Sequence, residues 1–238
     1  MSNTKSSLLI RNGRVVTPSI GGGMLEDLGN LEILVQDGKI SRIAPASVFK
    51  GYRDDIHGNI IDARGKLVMP GLINAHTHFY STFARGLYKV SPSKNFNEVL
   101  KNLWWKLDNA LSLESVYYSA LIALIECIKK GATTVFDHHS SPGAIRGSLA
   151  KIAEAVGETG LRACLCYEVS DRDGSKAAGQ GIDENHDFFK ECRRRAAGGD
   201  GHLRALFGLH ASFTLSDTTL LKAVDVAAKA GAAGFHVH

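Results

Sequence analysis

Two histidines separated by one residue follow an apolar stretch of the sequence. His76 and His78 come after residues 67–75, whose composition is typical of a buried β-strand. Side chains at positions i and i+2 of a strand point to the same face, so both imidazoles can approach one ion. Neutral imidazole is a common ligand of zinc and of iron. The spacing makes His76 and His78 candidate ligands of one divalent metal ion.

Other apolar stretches of the sequence also end in histidines. These are His138, His139, His210, His236 and His238. Seven of the ten histidines therefore stand at the ends of predicted strands. Core filling explains this distribution poorly, because every buried imidazole needs polar partners. Barrel enzymes carry their chemistry at the C-terminal ends of their strands, so the pattern indicates a functional site at that end.

The elements that would position these histidines repeat along the second part of the chain. From residue 66 onward an apolar run, a helix-period segment and another apolar run recur about every 30 to 40 residues, which is the spacing of βα units. The apolar runs are residues 67–75, 132–136, 161–169, 203–209 and 232–237. Five parallel strands are expected, whereas a closed (β/α)₈ barrel needs eight. The predicted fold class is α/β, with residues 67–238 forming strands one to five of a partial TIM-type barrel.

Two helices between these strands carry clear start signals. Residues 113–130 show an apolar stripe at helical spacing and follow Ser112, and residues 217–230 follow Ser216. Serine is a preferred N-cap residue because its hydroxyl accepts a hydrogen bond from a free backbone N–H of the first turn. Both serines are predicted to cap their helices.

Residues 1–66 have a different pattern, with short β segments separated by turns. Asp37-Gly38 is a strong hairpin signal, because both central residues of a type I′ turn need positive φ. We expect a small β-sandwich domain here, preceding the barrel.

Charge and cysteine content exclude several classes of function. The 28 basic and 24 acidic residues, with a net charge of +4, are mixed along the chain without a basic block, so no nucleic-acid partner is expected. The four cysteines lack the spacing of a disulfide framework and are interpreted as reduced thiols. Residues 1–7 are polar, and no stretch reaches the ~20 apolar residues of a membrane span. We expect a cytoplasmic protein without a membrane partner.

Residues 68–78, with the sequence Val-Met-Pro-Gly-Leu-Ile-Asn-Ala-His-Thr-His, resemble the opening of the amidohydrolase superfamily when read together with Arg85-Gly86. Residues 102–108, 134–142 and 166–172 resemble its cytosine-deaminase and chlorohydrolase branch. The resemblance covers the whole chain and implies the N-terminal half of a metal-dependent aminohydrolase.

A set of metal ligands is implied by this resemblance. It assigns a metal to His76 and His78 and to a strand-five histidine, for which we choose His238 because the family places that ligand three residues before its catalytic Glu. That Glu, a strand-six His and a strand-eight Asp are expected after residue 238. Residues 203–212 contain no lysine that could be carboxylated to bridge two metals, which favours a mononuclear site. The sequence leaves zinc and iron open.

Other polar residues at strand ends have open roles. His210 resembles the family's strand-four histidine that contacts substrate. His138 and His139 are candidate substrate-binding residues, and either one can alternatively bond a loop carbonyl. Glu168 is interpreted as a salt-bridge partner of an arginine or as a catalytic group.

Two aspartates, Asp137 and Asp171, are interpreted as turn and cap residues rather than as catalysts.

The reaction implied by the resemblance is hydrolytic removal of an amino group from a heterocycle such as a purine or a pyrimidine, with metal-activated water as the nucleophile. Ring-amide or C–Cl hydrolysis would use the same first ligands and stays an alternative. A further alternative is an inactive half-barrel that acts only with a partner. Because strands one and five would have unpaired edges, we expect a homo-oligomer or association with a missing C-terminal half.

Overall fold

The computed structural model describes residues 7–18, 24–51, 59–87 and 91–238. Residues 1–6, which contribute to the expected absence of a signal sequence, lie outside the described residues. The chain divides into two compact units, Met1–Pro70 and Gly71–His238.

The first unit is built on one mixed β-sheet. Its strands are β1 (Ser7–Pro18), β2 (Leu25–Gln36), β3 (Lys39–Ala44), β4 (Ile60–Asp62) and β5 (Leu67–Val68). Their order is β3-β2-β1-β4, and β5 also pairs with β1. The β2–β3 turn has positive φ at Asp37 (51°) and Gly38 (74°), which confirms the predicted hairpin.

The predicted β-sandwich is not confirmed. Among residues 7–18, 24–51 and 59–70, all described strands belong to one sheet, and no second sheet faces it. Leu9, Leu34 and Phe49 pack together as a small core of this unit, each at most 2% exposed. Their packing shows that the 3₁₀-helical turn Ala46–Phe49 covers one side of the sheet.

The stretch predicted as the first barrel strand, residues 67–75, is divided between the units. Leu67–Val68 pairs with β1, and the strand β6 (Leu72–Thr77) begins after Pro70. Proline has no N–H to donate to a sheet, so a strand breaks readily at this position. The prediction of one continuous strand was wrong for this reason.

The second unit contains parallel strands in the predicted order. They are β6, β7 (Ala132–His139), β8 (Arg162–Tyr167), β9 (Leu203–Ala205), β10 (Phe207–Leu209) and β11 (Phe235–Val237). Strands β6 to β9 are joined in sequence order, and β10 is parallel to β11. A parallel bridge between Val169 and Leu209 continues the pairing from the β8 side to β10. β9 and β10 are the two parts of one predicted strand, and the α/β class is confirmed.

Helices connect these parallel strands. They are α1 (Phe96–Val99), α2 (Trp105–Asn109), α3 (Leu113–Lys129), α4 (Ser148–Thr159), α5 (Ser175–Ala197) and α6 (Asp217–Ala230), with a π-helical turn at Leu100–Trp104 between α1 and α2. The predicted caps are confirmed, since the hydroxyls of Ser112 and Ser216 accept hydrogen bonds from the N–H groups of Ser115 and Thr219.

Helices α3 and α4 cover the strands that carry the histidines. Leu124 of α3 and Leu149 of α4 have no exposed surface, and neither do Val135 of β7 and Leu165 of β8. All four belong to the main hydrophobic cluster of this unit. This packing fixes the C-terminal ends of β7 and β8, where the polar site begins.

Two expectations from composition concern the cysteines and membrane spans. All four cysteines are free, and Cys164 and Cys166 are buried in β8, where burial raises the pKa of each thiol. In the part of the chain that the structure describes, no single helix has the length and apolar character of a membrane span. The bent pair Phe96–Asn109 and Leu113–Lys129 meets those criteria only when taken together, across a 110° break.

The Ser216 cap gives a stability prediction. Ser216→Ala removes the hydroxyl that accepts the Thr219 N–H at 3.3 Å, and we expect the free energy of unfolding to fall by about 1 kcal/mol. Urea denaturation followed by circular dichroism measures this change. Thr218→Ala, at an exposed position of the same helical turn, is the control and is expected to stay within about 0.5 kcal/mol of the parent protein. Equal effects of both variants would contradict a capping role.

Candidate metal centre and adjoining cavity

The ends of β6, β7, β10 and β11 bring six histidines into one region of the second unit. They are His76, His78, His138, His210, His236 and His238. Ring centroids of neighbouring pairs within this group lie 4.8–6.0 Å apart. The parallel strands impose this convergence, because their C-terminal ends meet at one edge of the sheet.

Four side chains in this region can hold a metal ion. The ligand atoms of His78, His138, Glu168 and His238 all lie within 4.8 Å of one another. Imidazole nitrogens and carboxylate oxygens are ligands that zinc accepts. Among the described residues, this cluster is the group whose chemistry and spacing fit a divalent cation.

The hydrogen bond of His78 fixes which nitrogen faces the cluster. Nδ1 of His78 lies 2.6 Å from the backbone oxygen of His138, and a carbonyl oxygen only accepts, so Nδ1 carries the proton. Burial lowers the pKa of His78 to about 4, which keeps the imidazole neutral. The unprotonated Nε2 therefore faces Nε2 of His238 at 2.8 Å. This is the tautomer that a metal-binding histidine requires.

His76 lies beside this cluster rather than within it. Its Nδ1 is 2.8 Å from Nε2 of His236, and its ring centroid is 4.9 Å from that of His78. Burial lowers the pKa of both His76 and His236, to about 4 for His236. His76 of β6 and His78 directly after it thus each face one histidine at the end of β11, a pairing that the sequence pattern did not reveal.

His138 is held by backbone groups of two other strands. The side chain is fully buried, and its Nε2 lies 3.2 Å from the carbonyl oxygens of Leu209 and His236. Because both partners only accept, Nε2 carries a proton and the remaining nitrogen, Nδ1, lies 3.2 Å from Oε2 of Glu168. His138 therefore joins the ends of β7, β10 and β11.

Glu168 follows β8 and is a site residue whose role the sequence left open. Its side chain is 4% exposed, and the arginine salt bridge considered from the sequence is replaced by contacts with His138 and His210. Burial alone would raise the pKa of this carboxyl group. The contact with His138 and the positive charge of Arg172 outweigh burial and lower the pKa. The carboxylate form is thereby favoured inside the protein.

His139 is directed at a loop. Its Nε2 lies 2.9 Å from Oγ of Ser141, whose hydroxyl donates to the carbonyl of Ala144, so His139 is the donor of the first bond. Burial lowers the pKa of His139 to about 3, and the side chain is not among those that line the adjoining cavity. His139 therefore bonds a loop hydroxyl rather than the loop carbonyl considered from the sequence.

His210 faces the cavity with a defined nitrogen. Its Nδ1 lies 2.6 Å from Oγ1 of Thr214, and that hydroxyl donates to the carbonyl of Ala211. Thr214 therefore accepts from His210, and the other ring nitrogen, Nε2, lies 3.7 Å from Oε1 of Glu168. Burial lowers the pKa of His210 and favours the neutral ring.

A cavity of about 220 Å³ adjoins the histidine cluster. Its walls combine aromatic and apolar side chains with polar ones. The lining residues are His78, Tyr80, Phe96, Leu100, Trp104, Trp105, Asp108, Glu168, Arg172, His210 and His238. Such a combination of flat apolar walls and a few polar groups suits a small aromatic ligand.

The α1–α2 segment supplies much of the apolar wall, and a buried ion pair holds it. Arg172 pairs with Asp108 of α2, and its guanidinium group lies 5.4 Å from the ring centroid of Trp105. Ser140 donates to Asp108 at 3.1 Å and accepts from Arg172 at 3.0 Å. Sequence reasoning did not single out Arg172 or Asp108, because the 64 residues between them conceal the contact.

The two aspartates interpreted as turn and cap residues have different outcomes. Asp171 accepts hydrogen bonds from the backbone of Ser216 and the hydroxyl of Thr219, which confirms a cap at the start of α6. Asp137 lies inside β7, so its interpretation as a turn residue was wrong. It accepts the backbone N–H of Phe79 at 2.7 Å, directly after His78, and burial raises the pKa of its carboxyl group to about 8.

Known proteins resemble this chain in sequence and in fold. Residues 67–238 match the sequence model described as "Amidohydrolase family". The chain is 33% identical to a 5-methylthioadenosine/S-adenosylhomocysteine deaminase of Pelotomaculum thermopropionicum, over 98% of this chain and 49% of that protein. It is 31% identical to a 5′-deoxyadenosine deaminase of Methanosarcina acetivorans, again over 98% and 49%. The chain thus spans about half the length of the curated relatives it matches.

A solved structure shares the fold. The zinc-bound adenosine deaminase of Xanthomonas campestris superimposes with a TM-score of 0.71 at 22% identity, covering 97% of this chain and 48% of that protein. At this identity the likeness concerns the fold alone.

Proposed function

The chain belongs to the amidohydrolase family, and from this membership we propose that it takes part in the metal-dependent hydrolytic deamination of an amino-substituted heterocycle such as a purine or pyrimidine. One observation carries the proposal: His78 and His238 of the histidine cluster line a cavity that also has aromatic walls. The names of the relatives, which are deaminases of adenine nucleosides, support the same chemistry.

The proposed ligands of one divalent ion, zinc or iron, are His76, His78 and His238. The neutral tautomer of His78 and the 2.8 Å approach of His238 support this set. His76 lies close to both and would have to turn from His236 to join them. A metal bound there would supply a Lewis acid that lowers the pKa of a water molecule toward neutrality.

The protein's own groups would orient the substrate. The aromatic wall formed by Tyr80 and Trp104 would hold the ring plane, and His210 would present Nε2 to an N–H group of the substrate. His138 would act on the reaction by holding the strand ends in place. For His139 we keep the loop-bonding role, and direct contact with substrate is the weaker proposal.

Part of the proposed catalytic centre lies outside residues 1–238. The family resemblance assigns a proton-shuttling Glu, a strand-six His and a strand-eight Asp to positions after residue 238, so we propose that the catalytic centre is completed by a C-terminal half or by association with a partner. As an alternative, we propose that copies of this chain associate into a homo-oligomer. We also propose the domain division expected from the sequence, with a β-sandwich within residues 1–66 and the first half of a barrel in residues 67–238. The free thiols of the four cysteines favour a reducing compartment, and we propose the cytoplasm.

Ammonia release tests the proposed reaction. Protein purified from its native source is expected to release ammonia from 5′-deoxyadenosine, adenosine, cytosine or guanine, and a chelator is expected to abolish this activity until zinc or iron is restored. The intact mass of the same sample shows whether the active polypeptide has the 25.6 kDa of these residues or about twice that mass.

Product analysis separates the alternatives. The protein could release chloride from a chlorinated triazine, or open the ring of a cyclic amide, without releasing ammonia from any aminoheterocycle. Either result would show that it catalyses one of the other hydrolytic reactions instead of deamination. Chelator-resistant release of ammonia would contradict the metal-dependent mechanism itself.

A further inference from the structure

Glu168 places a carboxylate oxygen at the cavity with no hydrogen bond of its own. Oε2 contacts His138 at 3.2 Å, whereas Oε1 lies 3.7 Å from Nε2 of His210, beyond hydrogen-bond distance. Among the hydrogen bonds of the described residues, none ends on Oε1. The side chain is only 4% exposed and lines the cavity, so this oxygen is an acceptor available to a ligand bound there.

His210 adds a second acceptor beside it. Thr214 fixes the proton of His210 on Nδ1, because the threonine hydroxyl already donates to Ala211. In the neutral ring Nε2 therefore carries a lone pair. Two acceptors 3.7 Å apart, with no donor between them, leave room for the N–H groups of a ligand.

Arg172 also lines the cavity, and its positive charge is already paired. It contacts the carboxylate of Asp108 and lies 3.0 Å from that of Asp173, and it also donates to Ser140. Glu168 adds a third negative charge, because its carboxylate interacts electrostatically with Arg172. Burying the negative charge of an anionic ligand beside them costs free energy, whereas a cationic or N–H-rich ligand is stabilised.

From these contacts we propose that Glu168 is a specificity-determining residue, which selects flat aromatic ligands presenting an amidine-type pair of N–H groups and disfavours ligands presenting a carboxylate. This inference rests on the proposed function for its biological meaning, because it defines which aminoheterocycles the cavity accepts. The ring would lie against the wall that contains Trp104, with its N–H edge toward Glu168 and His210. In this role the carboxylate binds the ligand directly, as an alternative to the metal contact that its place in the cluster with His78, His138 and His238 would also allow.

Three probes of nearly equal shape test the proposal without any turnover. Benzamidine carries two N–H groups on a cationic amidine, benzamide carries one amide, and benzoate carries a carboxylate. Isothermal calorimetry on the metal-free full chain is expected to give affinities in the order benzamidine, benzamide, benzoate. Glu168→Gln is expected to weaken benzamidine binding roughly 10- to 100-fold, while benzoate binding stays the same or improves.

Two further variants serve as controls. Glu168→Asp keeps the charge but withdraws it by one methylene group, and is expected to retain part of the preference for benzamidine. Glu154→Gln changes an exposed glutamate that pairs with Lys151 and is expected to bind all three probes like the parent chain. Thermal unfolding shows whether each variant is folded. If Glu168→Gln is unfolded, the order of probe affinities on the parent chain still tests the proposal.

Three results would overturn the proposal. They are equal affinity for benzamidine and benzoate, unchanged benzamidine binding in Glu168→Gln, and loss of stoichiometric zinc from Glu168→Gln, which would make Glu168 a metal ligand. Failure of the proposed deamination is distinguishable from failure of this inference. In that case ammonia release would be absent, while the order of probe affinities would persist.

Discussion

Replacing His78 by alanine is expected to abolish the proposed metal binding and, with it, the proposed hydrolytic activity. Nε2 of His78 faces Nε2 of His238 at 2.8 Å, and the hydrogen bond from Nδ1 to the backbone of His138 holds the ring in this orientation. Changes to groups that only support a ligand already weaken metal affinity by about 10- to 100-fold, so loss of a ligand itself is expected to weaken zinc binding by at least about 100-fold. Zinc titration of the metal-free protein, followed by elemental analysis, measures the effect.

A histidine outside the site provides the matched control. His186 lies on α5, and its Nδ1 lies 3.2 Å from the carboxylate of Asp187. His186→Ala is expected to bind zinc as the parent protein does. If His78→Ala retained stoichiometric zinc with unchanged affinity, the proposed ligand set would be wrong, whatever the activity of the variant.

The parts of this structure that depend on local pattern could be predicted from the sequence. The helices after Ser112 and Ser216 begin where their caps indicate, because a cap is a contact within one turn of helix. The turn at Asp37-Gly38 likewise depends on the φ values of two adjacent residues. The convergence of histidines also followed from local pattern, since every parallel strand ends at the same edge of the sheet.

The partners of the site residues could not be predicted, because they are distant in sequence. His76 faces His236 across 160 residues, and Arg172 reaches Asp108 across 64. Neither pairing leaves a periodicity in the sequence. Glu168 did leave a signal, a charged residue directly after an apolar strand, but only the fold shows that histidines rather than an arginine surround it.

Pro70 illustrates a different limit of sequence reasoning. The apolar residues on both sides of it have the composition of one strand, yet Val68 pairs with β1 of the first unit and Leu72 begins β6 of the second. Apolar composition predicts that a segment is extended and buried, but it does not predict which sheet receives it.

Replacing Arg172 by alanine is expected to lower the free energy of unfolding by about 3–5 kcal/mol, because the carboxylate of Asp108 would remain buried without its ionic partner. Asp108 is 1% exposed, and burial raises the pKa of its carboxyl group even though Arg172 opposes that shift. Urea denaturation at neutral pH measures the loss. The exposed pair Lys229–Asp225 provides the control, since Lys229→Ala removes a surface ion pair and is expected to cost less than about 1 kcal/mol.

A double variant separates the cost of a broken pair from the value of the pair itself. Arg172→Met combined with Asp108→Leu replaces both charges by apolar groups, and its stability is expected to return to within about 1 kcal/mol of the parent protein. Because Asp108 and Trp105 lie on the same short helix, Arg172→Ala is also expected to weaken benzamidine binding by displacing the aromatic wall. If the double variant were as unstable as Arg172→Ala, the pair would contribute net stability, and the wall of the cavity would depend on charge rather than on packing.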